Sequence, residues 1–204
     1  MDKPVIGLTG PTGAGKSTVA KSFRKQGCQV VDADRTARTI ADRPECFARL
    51  KEVFGTDLER NDGTLDRQAL AARAFASPEE TEKLNAITHP AIITECRRQL
   101  TEAKASDCTA VILDAPLLFE TGAQKLCDAT VAVITPDVSR LHRIMARDGI
   151  SEAAAKERMS AQHGIDFYRS KADYLFDGSL DWSIFDKEVC ALLERILRDF
   201  HEKA

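Results

Sequence analysis

The sequence has few of the features that mark secreted, membrane-bound or zinc-binding proteins. Its six cysteines are scattered, with no C-x-x-C pair and no histidine at zinc-ligand spacing, which predicts reduced structural thiols. The first residues lead directly into an apolar strand pattern, so we expect no signal peptide. No apolar run approaches the ~18 residues of a membrane span. These absences favour a cytoplasmic protein with no membrane partner.

The sequence also has no excess of positively charged residues. The 204 residues include 29 Lys and Arg against 32 Asp and Glu, a net charge of -3. Domains that bind nucleic acids usually carry a strongly basic face, so we expect no nucleic-acid partner and predict that any phosphate site is local. The length and the 43% hydrophobic content suit a single domain with an inserted or mobile part. No internal repeat is evident, and the sequence leaves the oligomeric state open.

One strong motif stands near the N-terminus, where residues 10–17 read Gly-Pro-Thr-Gly-Ala-Gly-Lys-Ser and fit the P-loop pattern G-x-x-x-x-G-K-[ST]. Residues 4–9 suit a buried parallel strand, and residues 17–26 suit a helix ended by Gly27. Glycines let backbone N–H groups approach phosphate oxygens, and a helix N-terminus adds its positive dipole end. We therefore predict a nucleoside triphosphate site at Gly13, Ala14, Gly15, Lys16, Ser17 and Thr18.

Two side chains are candidates to hold Mg²⁺. The hydroxyl of Ser17 closes the P-loop motif and is placed to ligate the ion beside the charge of Lys16. Asp114 ends an apolar strand pattern over residues 109–113, the placement of a Walker B carboxylate that holds Mg²⁺ directly or through water. A solvated or helix-capping aspartate is the alternative for Asp114.

Two carboxylates follow the strand pattern at residues 28–31, which comes after the helix of the P-loop motif. Asp32 and Asp34 come after it and precede a helix predicted to start at Arg35. Ligands of open α/β sheets bind outside the carboxyl ends of the strands, so these carboxylates are candidates to face the second substrate. The alternative for Asp34 is the N-cap of that helix, which a catalytic role does not exclude.

The regular strand and helix alternation stops over residues 44–106, which predicts an inserted helical subdomain that builds the second substrate's pocket. A cap signal at Ser77, with proline at the next position, starts one of its helices, and a further helix is predicted from His89-Pro90 to Ala105. Two further strands are predicted later in the chain, and a closing amphipathic helix follows them. The strands are predicted at residues 129–134 and 174–176, and the helix at residues 182–202.

The helix after the fourth strand carries Arg140, Arg143 and Arg147 at i, i+3 and i+7, so they share one face. Like charges at this spacing repel, and an anionic ligand would offset the cost. A solvated basic face is the alternative. A second charged helix is predicted over residues 151–162, and we interpret residues 143–171 as a lid that closes over phosphates.

These features predict an α/β protein with a three-layer P-loop kinase fold, built on a parallel five-stranded sheet with an inserted helical subdomain and a helical lid. Its nucleotide-binding core would comprise residues 1–43, 107–142 and 172–204. Phosphoryl transfer needs positioning and charge neutralisation. Lys16, Mg²⁺ and Arg147 would supply the charge, and Asp34 would orient and deprotonate the attacking hydroxyl.

Several stretches together resemble the dephospho-coenzyme A kinase family. They are residues 7–18, 31–34, 37–38, 84–86, 89–90, 114–120 and 143–148, with Arg158 and Gln162. The resemblance implies that ATP phosphorylates the ribose 3′-hydroxyl of dephospho-CoA in the last step of coenzyme A synthesis. It also implies that Asp34 is the base, that Arg147 is the lid arginine, and that Arg38 and His89 line the acceptor site. For His89, helix capping or packing is the alternative.

The sequence departs from the family pattern in its P-loop and after the fifth strand. The phosphate-cradling glycines remain, but the turn at residues 176–179 is altered, so no base contact is predicted there. Another P-loop kinase of nucleoside monophosphates or small metabolites is the nearest alternative. A nucleotide-dependent binding switch is a more distant one, because the sequence has no Asn-Lys-x-Asp motif for guanine.

Overall fold

A five-stranded parallel sheet organises the chain, and helices pack around it. The computed structural model describes residues 2–203. The strand order is β2-β3-β1-β4-β5. The strands are β1 (Val5–Thr9), β2 (Gln29–Asp32), β3 (Val111–Asp114), β4 (Ala129–Ile134) and β5 (Tyr174–Asp177). The helices are α1 (Lys16–Lys25), α2 (Ala33–Ala41), α3 (Pro44–Phe54), α4 (Arg67–Ala74), α5 (Pro78–Ala105), α6 (Asp137–Asp148), α7 (Glu152–Ser160), α8 (Ile165–Lys171) and α9 (Trp182–Lys203).

The central strand β1 is buried along its whole length, as expected of an apolar strand covered on both faces. Its Leu8 pairs in parallel register with Asp114 on one side and with Val131 on the other. The P-loop therefore leaves the sheet at the carboxyl edge, beside the carboxylate that ends β3. This arrangement confirms the predicted α/β class and parallel sheet.

The chain forms two compact units, which are residues 1–31 with 100–204 and residues 32–99. The first unit contains the sheet, and its core joins apolar strand residues to the inner face of α9. The predicted core spacing of α9 is confirmed, because its buried side chains recur every three or four residues. They are Phe185, Val189, Leu193 and Ile196.

The second unit is helical and has a core of its own. It contains α2, α3, α4 and most of α5, together with a short 3₁₀ turn at Thr56–Leu58. Ile40, Leu50, Leu58 and Ile87 pack together there, and each is at least 92% buried. The predicted borders of the functional parts, at 44–106 and 143–171, stay predictions.

Helix α5 corrects the expectation that a new helix starts at His89. One continuous helix spans Pro78–Ala105 with Pro90 inside it, whereas proline normally ends or kinks a helix at a cost of about 3 kcal/mol. Buried packing of Ile87 and Thr88 on the preceding turn offsets that cost. No helix within residues 2–203 is both long and apolar enough to cross a membrane.

The segment between β4 and β5 contains three helices, where two were expected. Helix α6 ends at Gly149, whose φ of 63° closes it in the left-handed conformation, and Ser151 caps α7. The additional helix α8 has only seven residues and no side-chain cap, so its sequence carries little helical signal. It is held by Tyr168, which is 2% exposed.

A charged cluster in the second unit gives a pH prediction. Hydrogen bonds from Arg98, Gln99 and Arg43 lower the pKa of Glu95 from 4.5 to about 2. A depressed pKa contributes stability above the unfolded value, and this contribution is lost as the pH falls through the folded value. In thermal unfolding, the wild type should exceed Glu95→Gln in Tm at neutral pH, and the difference should disappear as the pH approaches about 2. The control is Glu82→Gln, which changes an exposed glutamate on the same helix. A Tm difference between the wild type and Glu95→Gln that persists unchanged into acid would contradict the prediction.

Candidate active site

The P-loop depends on glycine where the backbone turns back on itself. Gly13 has a φ of 77° and Gly15 a φ of 100°, conformations that side chains disfavour. A Cβ atom on Gly13 would lie 2.9 Å from the carbonyl oxygen of Arg140. Helix α1 begins at Lys16 directly after this turn, so the first N–H groups of the helix face the space enclosed by the loop.

Arg140 is part of the scaffold of the loop. Its guanidinium donates from Nε to the carbonyl oxygen of Thr12 at 3.0 Å and from Nη1 to Asp137 at 2.8 Å. The side chain is 3% exposed. The alternative of a solvated basic face is therefore wrong for Arg140, since its charge is used inside the protein to hold the P-loop backbone.

The other two arginines of the same face also lie against the P-loop. Arg143 Nη1 lies 3.4 Å from the carbonyl oxygens of Gly13 and Ala14, and its Nη2 donates to the Gly178 carbonyl at 2.9 Å. Arg147 Nη2 lies 3.4 Å from the Thr12 hydroxyl. The side chain of Arg147 remains 59% exposed, so its charge is accessible beside the loop.

Asp148 fixes the direction of the Arg147 side chain. It accepts from Arg147 Nε at 2.8 Å and from Nη2 at 2.9 Å, and Arg158 of α7 bonds the same carboxylate. These cations hold the pKa of Asp148 below its usual value, with the Arg147 hydrogen bond as the largest cause. The ion pair therefore orients the arginine on α6 and ties α6 to α7.

Three further residues support the P-loop, and only Gln162 among them was part of the family resemblance. The hydroxyl of Thr135 donates to the Ala14 carbonyl at 2.8 Å, and Gln162 accepts from the Thr12 N–H at 2.8 Å. Gly178 packs so closely that a Cβ atom there would lie 1.9 Å from the Ala14 carbonyl oxygen. Pro136 occupies the N-cap position of α6, so the Thr135 hydroxyl is used for the loop and not for the helix.

The predicted metal ligands lie at the start of α1 and the end of β3. Lys16 Nζ forms an ion pair with Asp114, and both side chains are at least 84% buried. The helix-capping alternative for Asp114 is wrong, because the partner of its carboxylate is the P-loop lysine. Within residues 2–203 no cluster of three His, Cys, Asp or Glu side chains could hold a metal alone. Mg²⁺ bound with a nucleotide needs only one or two protein ligands, since phosphates and waters supply the rest.

A cavity of about 440 Å³ opens beside the P-loop. Gly15 and Thr18 form one wall, Arg143 another, and the segment after β5 a third. Trp182 at the start of α9 is 75% exposed and lines this cavity. The volume and the mixed apolar and cationic lining suit a purine base and its ribose.

The helical unit carries a larger cavity, of about 690 Å³. Asp34, Arg38 and Arg67 supply its charged lining. The remaining wall is apolar or weakly polar and is formed by Ala37, Ala41, Leu70, Ala71, Phe75, Leu84, Thr88 and Ile92. The structure thus places Asp34 and Arg38 in one cavity. His89 is half-buried on α5 outside this lining, and its substrate role stays a prediction.

Asp34 lies inside α2, and Asp32 is the residue that caps the helix. The Asp32 carboxylate accepts from the Arg35 N–H at 2.9 Å, as an N-cap does. The interpretation of Asp34 as the cap is therefore wrong. Its carboxylate stands in the first turn of the helix.

Comparison with known proteins extends this picture to a family. A family model described as dephospho-CoA kinase matches residues 4–181. A dephospho-CoA kinase from Syntrophotalea carbinolica is 40% identical, over 95% of this chain and 92% of its own. One from Corynebacterium diphtheriae is 40% identical over 94% and 96%. The solved dephospho-CoA kinase from Campylobacter jejuni superposes with a TM-score of 0.62 at 25% identity, covering 95% of this chain and 97% of that one.

Proposed function

The chain belongs to the dephospho-CoA kinase family, and we propose that it transfers the γ-phosphoryl group of ATP to the ribose 3′-hydroxyl of dephospho-CoA. The products are coenzyme A and ADP. One observation carries the proposal beyond family membership. The chain holds both a P-loop framed by arginines and, in its helical unit, a cavity with the carboxylate that an attacking hydroxyl needs.

The P-loop would hold the phosphates of ATP through backbone N–H groups of residues 13–18. Lys16 would leave Asp114 and reach the β- and γ-phosphates, which attract its charge more strongly than one carboxylate does. The base and ribose would occupy the cavity between Arg143 and Trp182, beside Gly15. Stacking and cation–π contacts use the face of the base and not its hydrogen-bonding edge, so this cavity would accept a purine without specific hydrogen bonds.

Ser17 and Asp114 would hold Mg²⁺ with the nucleotide. Their hydroxyl and carboxylate oxygens are the hard ligands that this ion prefers, and Asp114 lies beside the lysine that contacts the phosphates. When bound, the ion neutralises charge on the β- and γ-oxygens. Departure of Lys16 from Asp114 would free that carboxylate for its ligand role, so one movement would prepare both residues.

Asp34 would act on the acceptor. Its carboxylate would accept the hydrogen bond of the ribose 3′-hydroxyl and then its proton, while the 3′-oxygen forms a bond to the γ-phosphorus. The bond between that phosphorus and the bridging oxygen breaks, and ADP leaves with the electron pair. The protein forms no covalent intermediate, so positioning and charge carry the rate.

Arg147 would neutralise the charge that spreads over the transferring group. It lies beside Thr12 of the P-loop and is aimed by Asp148, so its position is set before substrates arrive. The helices around it would act as the lid that excludes water from the γ-phosphate, because water is a competing acceptor.

A coupled assay of ADP release tests the proposed function. We expect prompt ADP release with dephospho-CoA and little with AMP, CMP, shikimate or gluconate. The same P-loop and lid serve kinases of other small metabolites, so the acceptor series decides between the two possibilities. Rapid turnover with one of the other acceptors and none with dephospho-CoA would overturn the proposal.

Replacing Gly178 with alanine should weaken ATP binding. The added methyl group would collide with the Ala14 carbonyl, and overpacking of this kind costs about 1–3 kcal/mol, which the P-loop relieves by moving. We expect the KM for ATP to rise about tenfold or more, with a smaller change in the KM for dephospho-CoA. Gly164→Ala is the matched control, since a Cβ atom at Gly164 meets nothing within 4 Å. Equal effects of the two variants would show that Gly178 is not a support of the loop.

A further inference from the structure

We call the cavity of the helical unit the acceptor cavity. One of its charged lining residues, Arg67, was not indicated by the sequence as part of a site. We infer that Arg67 binds the diphosphate of dephospho-CoA and that Asp42 positions it for this role. The inference rests on the proposed function and adds the residues that select the acceptor. Arg67 lines the same cavity as Asp34 and Arg38.

Two helix ends fix the position of the Arg67 guanidinium. Arg67 is the first residue of α4, whose N-cap is Asp66, and Asp42 is the C-cap of α2. Arg67 Nη2 lies 2.6 Å from both carboxylate oxygens of Asp42 and 3.2 Å from the carbonyl oxygen of Arg38. An arginine anchored in this way loses little further freedom when a ligand binds, which favours affinity.

The same guanidinium keeps donors for a ligand. Within residues 2–203 its hydrogen bonds to the protein all leave from Nη2, and the side chain is 43% exposed. The N–H groups on Nε and Nη1 are thus directed to the space around the side chain. Each of these N–H groups can donate to a single oxygen of a phosphate group, beside the positive charge of the guanidinium.

Only one group of the proposed acceptor carries the negative charge that Arg67 would bind. The adenine and the pantetheine arm of dephospho-CoA carry no charge, whereas the diphosphate between them is anionic. The cavity offers a matching set of surfaces: a carboxylate for a hydroxyl, arginines for an anion, and an apolar wall with Leu70, Phe75 and Ile92. Phe75 is 66% exposed, which an aromatic side chain facing an uncharged ligand arm explains.

Steady-state kinetics of the full chain with dephospho-CoA and ATP test the inference. Arg67→Gln should raise the KM for dephospho-CoA about 10- to 100-fold, the scale of a lost charged hydrogen-bond pair. Its kcat should stay within about threefold, and its KM for ATP should not change, because the diphosphate is bound equally in the ground and transition states. Arg67→Lys keeps the charge but has fewer N–H donors than a guanidinium, so a smaller rise is expected.

A double variant tests whether Asp42 acts through Arg67. Asp42→Asn should raise the KM for dephospho-CoA less than Arg67→Gln does, and it should add nothing in the Arg67→Gln background. A further rise in the double variant would show that Asp42 acts on the substrate or on the fold independently, and would overturn its positioning role.

The chain offers a close control on the same helix. Arg73 also donates to a backbone carbonyl, that of Phe54 at 2.6 Å, and to both oxygens of one carboxylate, at 2.8 and 2.5 Å on Asp57. It does not line the acceptor cavity. Arg73→Gln should therefore leave the KM for dephospho-CoA unchanged, although it breaks an equivalent pair.

The outcomes separate this inference from the proposed function. If the wild type phosphorylates dephospho-CoA and neither Arg67→Gln nor Arg67→Lys changes its KM, the inference alone fails. Equal rises for Arg67→Gln and Arg73→Gln would also overturn it, because they would report damage to the fold. If the wild type does not phosphorylate dephospho-CoA, the proposed function fails and the inference fails with it.

Discussion

Replacing Arg147 with alanine is expected to lower kcat by about 10³-fold, the lower end of what an arginine contributes when it neutralises a transferring phosphoryl group. The charge matters most in the closed transition-state complex, so the affinity for the acceptor should fall only modestly. Arg147 lies beside the P-loop and is held by Asp148. The measurement is kcat and both KM values from the ADP-release assay with dephospho-CoA.

The fold should tolerate this change. Arg158 also bonds Asp148, so that carboxylate keeps a cation when Arg147 is removed. Arg147→Lys should recover part of the rate, because it restores charge without the planar donor geometry. Lys156→Ala removes a cation from the neighbouring helix, where Lys156 pairs with Glu152 at 2.6 Å, and should leave kcat near the wild-type value. A normal kcat for Arg147→Ala with only a lower Tm would reduce the residue to an anchor between α6 and the P-loop.

The sequence was sufficient to predict the parts whose signals are local. A P-loop needs glycines at fixed spacing, and the apolar runs around it predict buried strands, so the sheet and its nucleotide edge were predictable. Packing decided the cases where prediction failed. Proline at position 90 predicts a helix end, yet α5 continues through it because the turn before it is buried.

Most of the lining of the two cavities could not be predicted from the sequence. Arg67 and Phe75 carry no motif that marks a ligand, and they line the acceptor cavity only because α2, α4 and α5 pack together in the helical unit. Gly178 falls in a turn that resembles many others, and its close approach to Ala14 depends on strands that are distant in sequence. Arginines at i, i+3 and i+7 were visible, but only burial separates Arg140, a scaffold residue, from Arg147.

The second large effect is expected at Asp34. Asp34→Asn should lower kcat by about 10²-fold or more, the usual contribution of a positioned acid–base group. Asparagine has nearly the same shape and still accepts a hydrogen bond, but it does not take the proton of the 3′-hydroxyl. The KM for dephospho-CoA should change little, and ATP should still bind with wild-type affinity by calorimetry, because its phosphates would be held by the P-loop in the other unit.

Asp32→Asn provides a control two residues away. It makes the same change of charge at the start of the same helix, and asparagine is as good an N-cap as aspartate, so α2 should keep its cap. The kcat of Asp32→Asn should remain within about threefold of the wild type. Equal losses in the two variants would trace the effect to charge at the helix start, and near-normal turnover by Asp34→Asn would remove Asp34 from the role of base. A loss confined to Asp34→Asn, with ATP affinity intact, leaves proton transfer from the acceptor as the step that the variant slows.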